Sequence, residues 1–328
     1  MNSTRLSTFK QKSFTMESLP RPTSSTFRGK KEKVVFVVGP TGTGKSRLAI
    51  DLATRFPAEV VNCDKMQVYK GLDVATNKVT DAERRGVPHH LLGVIHDPLA
   101  DFAAADFCHC ASRVAKSIIA RGRLPIVAGG SNSFVEALVD GEDAEFRSQY
   151  DFCFLWVDVA LPVLYEFISD RVDRMVDSGL VEEVRAAFDP NDRDYTRGIR
   201  RAIGVPELDE YFRSGGRSAA LMEAAVEKIK ENTCRLAYRQ LKKIQRLNGQ
   251  LNWSMHRVDA TEVFLRSGTP EADEIWEELV AGPSAVIVDR FLQRDENSVS
   301  KTTEVVEDHA AAVGIPLPAM AAAARLTL

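Results

Sequence analysis

Short apolar runs alternate with amphipathic stretches through the first half of the chain. The runs are rich in β-branched and aromatic residues, which predicts buried strands, and the stretches between them have helical spacing. Predicted strands cover Val34–Val38, Glu59–Asn62, Leu91–Ile95, Leu124–Ala128 and Phe152–Val159. Predicted helices cover Ser46–Phe56 and Ala103–Ala120. This alternation predicts an α/β fold with a mostly parallel sheet covered on both faces.

The second half of the chain has a different pattern. After about Leu161 no further strand is predicted, and helical spacing dominates. The predicted helices are Leu161–Asp177, Leu180–Phe188, Arg201–Arg213 and Ser218–Leu247. We therefore expect an α/β core over residues 33–160 and a mainly helical portion over 161–294 that completes the substrate site.

Composition narrows the class of protein. The 328 residues carry a formal net charge of −3, which argues against general nucleic-acid binding. No apolar run approaches the roughly 18–20 residues of a membrane span, so no membrane segment is expected. The five cysteines are an odd and sparse count, which favours a reducing compartment over a secreted disulfide scaffold. They include no CxxC pair, which argues against a structural zinc finger.

The two ends differ from the rest of the chain. Residues 1–28 hold eleven Ser or Thr, five Lys or Arg and one acid, Glu17. This composition is typical of an organelle transit peptide, although an ordinary disordered tail is the alternative. We expect residues 1–32 to be such a segment and the location to be the plastid, with the cytoplasm as the alternative. Residues 295–328 are predicted to be poorly ordered.

A phosphate-binding loop follows the first predicted strand. Its sequence matches G-x-x-x-x-G-K-[ST] between a strand and a helix. The glycines allow backbone N–H groups to point at phosphate oxygens, Lys45 supplies positive charge, and the Ser46 hydroxyl is placed for Mg²⁺. The predicted phosphate-binding residues are Gly39, Thr41, Gly42, Thr43, Gly44, Lys45 and Ser46. The motif predicts a core like that of the P-loop NTPases.

The loop alone does not identify the phosphate compound. An ATP hydrolase would normally have a second strand that ends in an acid, which serves Mg²⁺ and orients water. The strand Leu124–Ala128 ends in Gly-Gly instead. Asp158 in the next strand is equally compatible with that role and with a simple polar strand end. The hydrolase hypothesis is therefore weakened but stays open.

Asp64 ends the second predicted strand. Because ligands bind at the carboxyl ends of strands in open α/β sheets, Asp64 should lie in the same crevice as the phosphate loop. A carboxylate there can coordinate a metal or accept a proton, and the alternative is a helix N-cap. The residues that follow, 65–73, are dense in side chains that bind polar ligands.

Four stretches are distinctive in combination: the phosphate loop, DKMQVYKGLD (64–73), PHHLL (88–92) and AGGSNSF (128–134). Together they resemble the isopentenyltransferase family, and in detail the plant adenylate isopentenyltransferases. The resemblance extends from about Lys33 to Arg246. Family members that act on tRNA usually have Asp-Ser-Met-Gln and Gly-Gly-Thr-Gly-Leu-Tyr at two of these places. Those of eukaryotes also typically have a C-terminal zinc finger, which this sequence lacks.

The resemblance implies transfer of a dimethylallyl group from dimethylallyl diphosphate to the N6 amine of a free adenine nucleotide (ATP, ADP or AMP), with Mg²⁺. This reaction is the first step of cytokinin biosynthesis. Asp64 would activate the amine, and Lys45 and Arg239 would serve the leaving diphosphate. The sequence departures make tRNA an unlikely substrate, and no protein partner is predicted.

A basic helix is the source of further candidates. Residues 217–249 contain eight Lys or Arg and three Glu. A solvated charged face is the ordinary explanation of such a run. The family-like motif TCRLAYRQ (233–240) lies here. The predicted nucleotide-binding residues are Asp64, Gln67, Ser131, Lys228, Lys230 and Arg235. Secondary candidates for phosphate are Arg171, Arg174 and the pair Arg200-Arg201.

Three other functions stay open at this point. The same transfer to tRNA is the nearest alternative. A P-loop kinase that acts on a small molecule belongs to another class of enzyme, and a nucleotide-binding regulatory module would not be an enzyme at all. His89-His90 is not expected to bind a metal, because adjacent strand residues point to opposite faces.

Overall fold

The fold contains one parallel sheet, seen in a computed structural model that describes residues 31–141 and 145–294. Its spatial order is β3-β2-β4-β1-β5-β6, and every neighbouring pair is parallel. The six strands are β1 Glu32–Val38, β2 Ala58–Asn62, β3 His89–His90, β4 Leu124–Ala128, β5 Tyr150–Asp158 and β6 His256–Asp259. The predicted α/β class with a mostly parallel sheet is confirmed.

Helices connect and cover the strands. In the first half they are α1 Lys45–Arg55, α2 Asp81–Arg84, α3 Ala104–Ala120, α4 Asn132–Asp140 and α5 Glu145–Gln149. In the second half they are α6 Leu161–Asp177, α7 Leu180–Ala186, a 3₁₀ turn Gly198–Arg201, α8 Asp209–Arg213, α9 Ala219–Gln250, α10 Thr261–Leu265, α11 Ala272–Trp276, a π turn Glu277–Ala281 and α12 Gly282–Gln293. The predicted bounds of α1, α3, α6 and α9 agree with these to within three residues.

The sheet has an apolar core on each face, because successive strand residues point to opposite sides. On one face Val35 and Val37 of β1 pack with α1 and with Val288 of α12. On the other face Phe36 packs with the large side chains of α3 and α4, among them Phe107. A third cluster joins residues 68–75 to α6–α9. The helical portion is thereby packed beside the carboxyl edge of the sheet.

The predicted strand Leu91–Ile95 is wrong. The edge strand is His89–His90, and Leu91 already has a left-handed backbone with φ 58°. Gly93 follows with φ 66°, so the chain turns away from the sheet. Ile95 forms an isolated parallel bridge with Tyr69 instead. The apolar run predicts a strand, but the glycine within it lets the backbone turn away from the sheet.

Two expectations in the second half are also wrong. The helix predicted for Arg201–Arg213 is reduced to α8, because Gly204 adopts φ 106° and Pro206 follows. The expectation that strands cease after Leu161 fails at β6. That strand has a single buried residue, Val258, so it lacks the apolar run that would have revealed it.

From Glu32 onward the described chain belongs to one compact unit. The predicted division between residues 160 and 161 falls where β5 has ended and α6 begins. Of the segment expected to be a transit peptide, 1–32, residues 1–30 lie outside the described residues, as does the expected tail 295–328. The predicted end of the first segment is wrong at Glu32, which already begins β1.

Candidate active site

A cleft of about 800 Å³ opens at the carboxyl ends of β1, β2 and β4. It brings the phosphate loop and Asp64 together, as the position of both after parallel strands predicts. Its walls come from four parts of the chain: the three strand ends with the phosphate loop and α1, residues 77–85, the helices α6 and α9, and residues 263–276. A pocket of this size suits a ligand pair of moderate size.

The phosphate loop has the backbone that its glycines permit. Gly42 and Gly44 have φ of 89° and 87°, in the left-handed region. Gly44 is the N-cap of α1, so the first N–H groups of this helix face the cleft and can bind an anion. The indole of Trp276 packs against Gly44 so closely that a Cβ there would lie 2.7 Å from the ring.

Lys45 is buried at the base of the loop. Its Nζ donates to the carbonyl oxygen of Pro40 at 2.6 Å. Burial lowers the pKa of Lys45 to about 8, Asp64 opposes this shift, and Arg171 adds to it. Because Asp64 raises the pKa of Lys45, the charge of Asp64 acts on the space around the phosphate loop.

Asp64 has a defined orientation. Its Oδ1 accepts hydrogen bonds from the backbone N–H groups of Met66 at 2.9 Å and Gln67 at 3.3 Å. The helix N-cap that the sequence left open is wrong, because residues 65–68 form a turn and the next helix begins only at Asp81. The two bonds stabilise this turn through one oxygen, and the carboxylate lines the cleft, so a role toward a ligand is compatible with them.

Gln67 and Ser131 stabilise loops around Asp64. The Nε2 of Gln67 donates to the carbonyls of Thr76 and Asn77, both at 3.0 Å, while the residue lines the cleft. The Oγ of Ser131 accepts from the N–H of Lys65 at 3.0 Å. Both residues thus lie beside Asp64, with side chains engaged by the protein itself.

Arg171 reaches the phosphate loop from α6. Its Nη2 donates to the Oγ1 of Thr41 at 3.2 Å. Burial, and to a smaller extent the charge of Arg174, lowers the pKa of Arg171 to about 10. Within residues 31–141 and 145–294 its buried Nε has no hydrogen-bond partner. A buried guanidinium with an unused donor in the cleft is suited to an anionic ligand.

The basic residues predicted on α9 are placed differently. Lys228 and Arg239 are exposed. Lys230 pairs with Asp173 at 2.8 Å, and Arg235 pairs with Glu231 one turn away. All four lie in the described part of the chain, and none of them lines the cleft. The helix contributes Leu236 and Gln240 to the cleft instead.

One wall of the cleft is formed by residues that the sequence did not predict to be functional. Val263, Phe264, Thr269 and Trp276 line it from the segment after α9. The Nε1 of Trp276 donates to the Oδ2 of Asp51 in α1 at 2.7 Å. The aromatic residues of this segment carried no motif, so no sequence signal distinguished them from an ordinary core.

Other candidates have structural partners. The Oδ2 of Asp158 accepts from the Nε of Arg257 at 2.7 Å, and Asp158, a described residue, is not part of the cleft lining. His90 contacts Glu59, whereas His89 contacts the carbonyl of Val87. Their separate partners agree with the prediction that the two rings point apart.

The described residues lack both a clustered metal site and a membrane-spanning helix. Among residues 31–141 and 145–294, no group of three or more His, Cys, Asp or Glu side chains is arranged to hold a metal ion. No helix in these same ranges has both the length and the apolar character needed to cross a membrane.

The comparisons with known proteins agree on one family. The IPP transferase family profile matches residues 67–149 and 142–246. Adenylate isopentenyltransferase 5, chloroplastic, of Arabidopsis thaliana is 60% identical over 303 residues, which cover 90% of this chain and 91% of that protein. The chain belongs to the isopentenyltransferase family.

Further members of this family show the breadth of the likeness. Adenylate isopentenyltransferase 7, mitochondrial, of Arabidopsis thaliana is 54% identical and covers 88% of this chain and 89% of its own length. The solved tRNA isopentenylpyrophosphate transferase of Bacillus halodurans superposes with a TM-score of 0.63 at 28% identity, over 80% of this chain and all of that one. A eukaryotic dimethylallyltransferase that acts on tRNA shares the fold, with a TM-score of 0.67 at 24% identity over 80% of each chain.

Proposed function

We propose that this isopentenyltransferase transfers the dimethylallyl group of dimethylallyl diphosphate to the N6 amine of a free adenine nucleotide and releases diphosphate. The observation that carries the proposal is the single cleft in which Lys45 and the phosphate loop face Asp64. An anion site and a proton acceptor in one crevice are the two requirements of this reaction. The high identity to adenylate isopentenyltransferases supports the choice of acceptor.

The donor side is the phosphate loop. The N–H groups at the start of α1, the buried Lys45 and Arg171 concentrate positive charge where diphosphate would leave. As the bond between the allylic carbon and the diphosphate oxygen breaks, negative charge develops on that oxygen. Fixed positive groups stabilise this charge more than water would, because they are already oriented toward the leaving oxygen.

The acceptor side is Asp64. The lone pair of an adenine amine is delocalised into the ring, so the amine is a weak nucleophile. A carboxylate that accepts a hydrogen bond from N6–H raises its nucleophilicity and takes the proton as the new N–C bond forms. The two backbone N–H groups on Oδ1 fix the carboxylate, which leaves its orientation unchanged during the transfer.

Magnesium fits this cleft as a partner of the diphosphate. Ser46 is exposed in the cleft lining together with Asp64, whereas the described residues offer no cluster of three protein ligands. Mg²⁺ commonly keeps one or two protein ligands and takes the rest from phosphates and water. We propose that the Ser46 hydroxyl holds the ion, which would neutralise charge on the diphosphate.

The deciding experiment compares acceptors. The purified full chain is incubated with labelled dimethylallyl diphosphate and Mg²⁺, and with ATP, ADP, AMP or unmodified tRNA in separate reactions. We expect label on a free nucleotide. Label on tRNA alone would contradict the proposal and support the second candidate, which the shared fold with a tRNA-modifying enzyme favours.

A substitution tests the role of Asp64. Asp64→Asn keeps an oxygen for the two N–H groups but removes the base, so kcat should fall by about 100-fold or more. Unchanged thermal unfolding is the control. Diphosphate release without conversion of ATP to ADP separates this transferase from a kinase. Wild-type rates in Asp64→Asn would contradict the mechanism.

We also propose that the reaction is the first step of cytokinin biosynthesis and takes place in plastids. The two Arabidopsis relatives described above are called chloroplastic and mitochondrial, and residues 1–28 have the composition of a transit peptide. A fluorescent reporter fused behind residues 1–32 tests the location in plant cells. Plastid signal is expected, and mitochondrial or cytoplasmic signal would contradict it.

A further inference from the structure

The side chain of Gln240 joins two loops across the cleft. Its Oε1 accepts from the N–H of Thr41 at 2.7 Å, and its Nε2 donates to the carbonyl of Gly130 at 2.9 Å. Exchange of the two amide ends would oppose donor to donor and acceptor to acceptor, so both partners together fix the orientation. Gln240 therefore spans from the phosphate loop to the loop between β4 and α4.

The contact leaves little freedom. A Cβ on residue 130 would lie 2.5 Å from Nε2 of Gln240, so Gly130 is the residue that permits this approach. The main-chain carbonyl of Gln240 in turn accepts from the Nδ2 of Asn132 at 3.2 Å. Side chain and backbone of one residue thus hold the same loop.

The loop on the far side of Gln240 leads to the proton acceptor. The N–H of Ser131 donates to the carbonyl of Cys63 at 3.1 Å, and the N–H of Lys65 donates to the Oγ of Ser131. A Cβ on Gly129 would lie 2.0 Å from that same carbonyl of Cys63. Residues 129–131 are thus fixed to both neighbours of Asp64.

We propose that Gln240 is a positioning residue that sets the separation between the prenyl donor in the phosphate loop and the acceptor amine at Asp64. This inference rests on the proposed function. Because transfer requires the attacking nitrogen close to the allylic carbon, an error of about 1 Å can cost as much as about 100-fold in rate. A substitution of Gln240 leaves the groups that bind each substrate in place. It should therefore lower kcat and leave KM nearly unchanged.

Gln240→Met tests the proposal, since methionine has similar length and makes neither hydrogen bond. Gln245→Met, on the exposed face of the same helix, is the matched control. In the full chain we expect kcat to fall at least about tenfold in Gln240→Met, with KM for both substrates within about threefold, and wild-type values in Gln245→Met. An unchanged kcat would overturn the proposal. So would a loss confined to the KM of the donor, since Gln240 would then only support the phosphate loop.

Gln240→Glu gives a second readout that a purely structural role would not move. Its carboxylate keeps the acceptor for Thr41, and protonation restores a donor for Gly130. The kcat ratio of Gln240→Glu to wild type should therefore rise between pH 8 and pH 5, while that of Gln240→Met stays flat. A flat ratio for Gln240→Glu would overturn the proposal. Wild-type protein that prenylates no free nucleotide would refute the proposed function instead, which keeps the two failures distinct.

Discussion

Gly44 and Gly71 share a left-handed backbone but not its surroundings. Their φ values are 87° and 80°. An added Cβ at Gly44 would meet the Trp276 ring at 2.7 Å, whereas nothing lies within 4 Å of one at Gly71. Both alanine variants lose about 1–2 kcal/mol from the backbone alone. Only Gly44→Ala must also displace the ring from the phosphate loop.

We therefore expect Gly44→Ala to lose most activity and to raise the KM for dimethylallyl diphosphate, while Gly71→Ala keeps kcat and KM. Steady-state kinetics at one pH and thermal unfolding of both variants provide the test. Equal kinetic effects in the two variants would show that backbone strain, and not the Trp276 contact, governs the loop.

Lys45 should give the donor reaction a pH limit. Its pKa of about 8 means that the charged form predominates below pH 8 and is lost as the pH rises through that value. Because kcat/KM reports the free enzyme, kcat/KM for dimethylallyl diphosphate should fall about tenfold per pH unit above about 8.

Lys45→Arg is the control for this limit, since a guanidinium stays charged at all accessible pH values. Its absolute rate will be lower, but the fall above pH 8 should disappear. The measurement is the pH profile of both proteins from pH 6.5 to 9.5. A wild-type profile without this fall would contradict the assignment to Lys45.

At the scale of elements, one face of α1 is bound to the segment that contains α11. Arg47, Asp51 and Arg55 contact Asp273, Trp276 and Glu277 in the same order. The Trp276–Asp51 bond is buried, whereas the side chains of Arg47 and Asp273 are 43% and 83% exposed. The buried bond should therefore carry most of the stabilisation.

Trp276→Phe removes the N–H that donates to Asp51 and also the Cζ3 and Cη2 atoms that lie beside Gly44. A buried hydrogen bond to a charged group contributes about 1.5–3 kcal/mol, and an exposed ion pair less than about 1 kcal/mol. Trp276→Phe should thus lower the free energy of unfolding by at least that larger amount, because lost packing adds to the lost bond, and Asp273→Asn by the smaller. Urea denaturation of each variant measures both, and a larger loss in Asp273→Asn would contradict the ranking.

The elements that the sequence predicted well are those whose pattern is local. The helices α1 and α6 repeat their apolar positions over 11 and 17 residues, so periodicity sufficed. The edge strands β3 and β6 have two and four residues and pair with a strand distant in sequence, so they carry little local signal. Whether these two short segments form strands depends on pairing at the edges of the sheet. The local sequence does not encode that pairing.

At the scale of the whole molecule, the candidate site divides in the same way. The phosphate loop is eight consecutive residues, and Asp64 ends a strand, so both were predictable from order along the chain. Gln240 contacts Thr41 across 199 positions, and Trp276 contacts Asp51 across 225. Such contacts depend on how α9 and α11 pack, which no motif records. The sequence predicted ligand-binding residues among the charged side chains of α9. In the structure the uncharged Gln240 of this helix lines the cleft instead.

The cleft draws on only part of the chain. Among residues 31–141 and 145–294, all those that line it lie between Thr41 and Trp276. The helix α12 lies beyond that range, but its Val288 and Phe291 are buried in the core that contains β1. The Nζ of Lys33 at the start of β1 donates to the carbonyls of Phe291 and Leu292 at 2.9 and 2.7 Å.

A chain of residues 31–294 should therefore keep kcat/KM within about threefold of the full chain, since neither the cleft nor its supporting core is cut. A chain of residues 31–281 lacks α12 and forfeits the burial of Val288 and Phe291, each worth about 1.5–3 kcal/mol. We expect it to unfold at lower temperature or to aggregate. Circular dichroism melts and acceptor assays on both proteins decide the matter. Equal behaviour of the two chains would show that α12 is dispensable, and inactivity of residues 31–294 would show that a terminal segment contributes to the site.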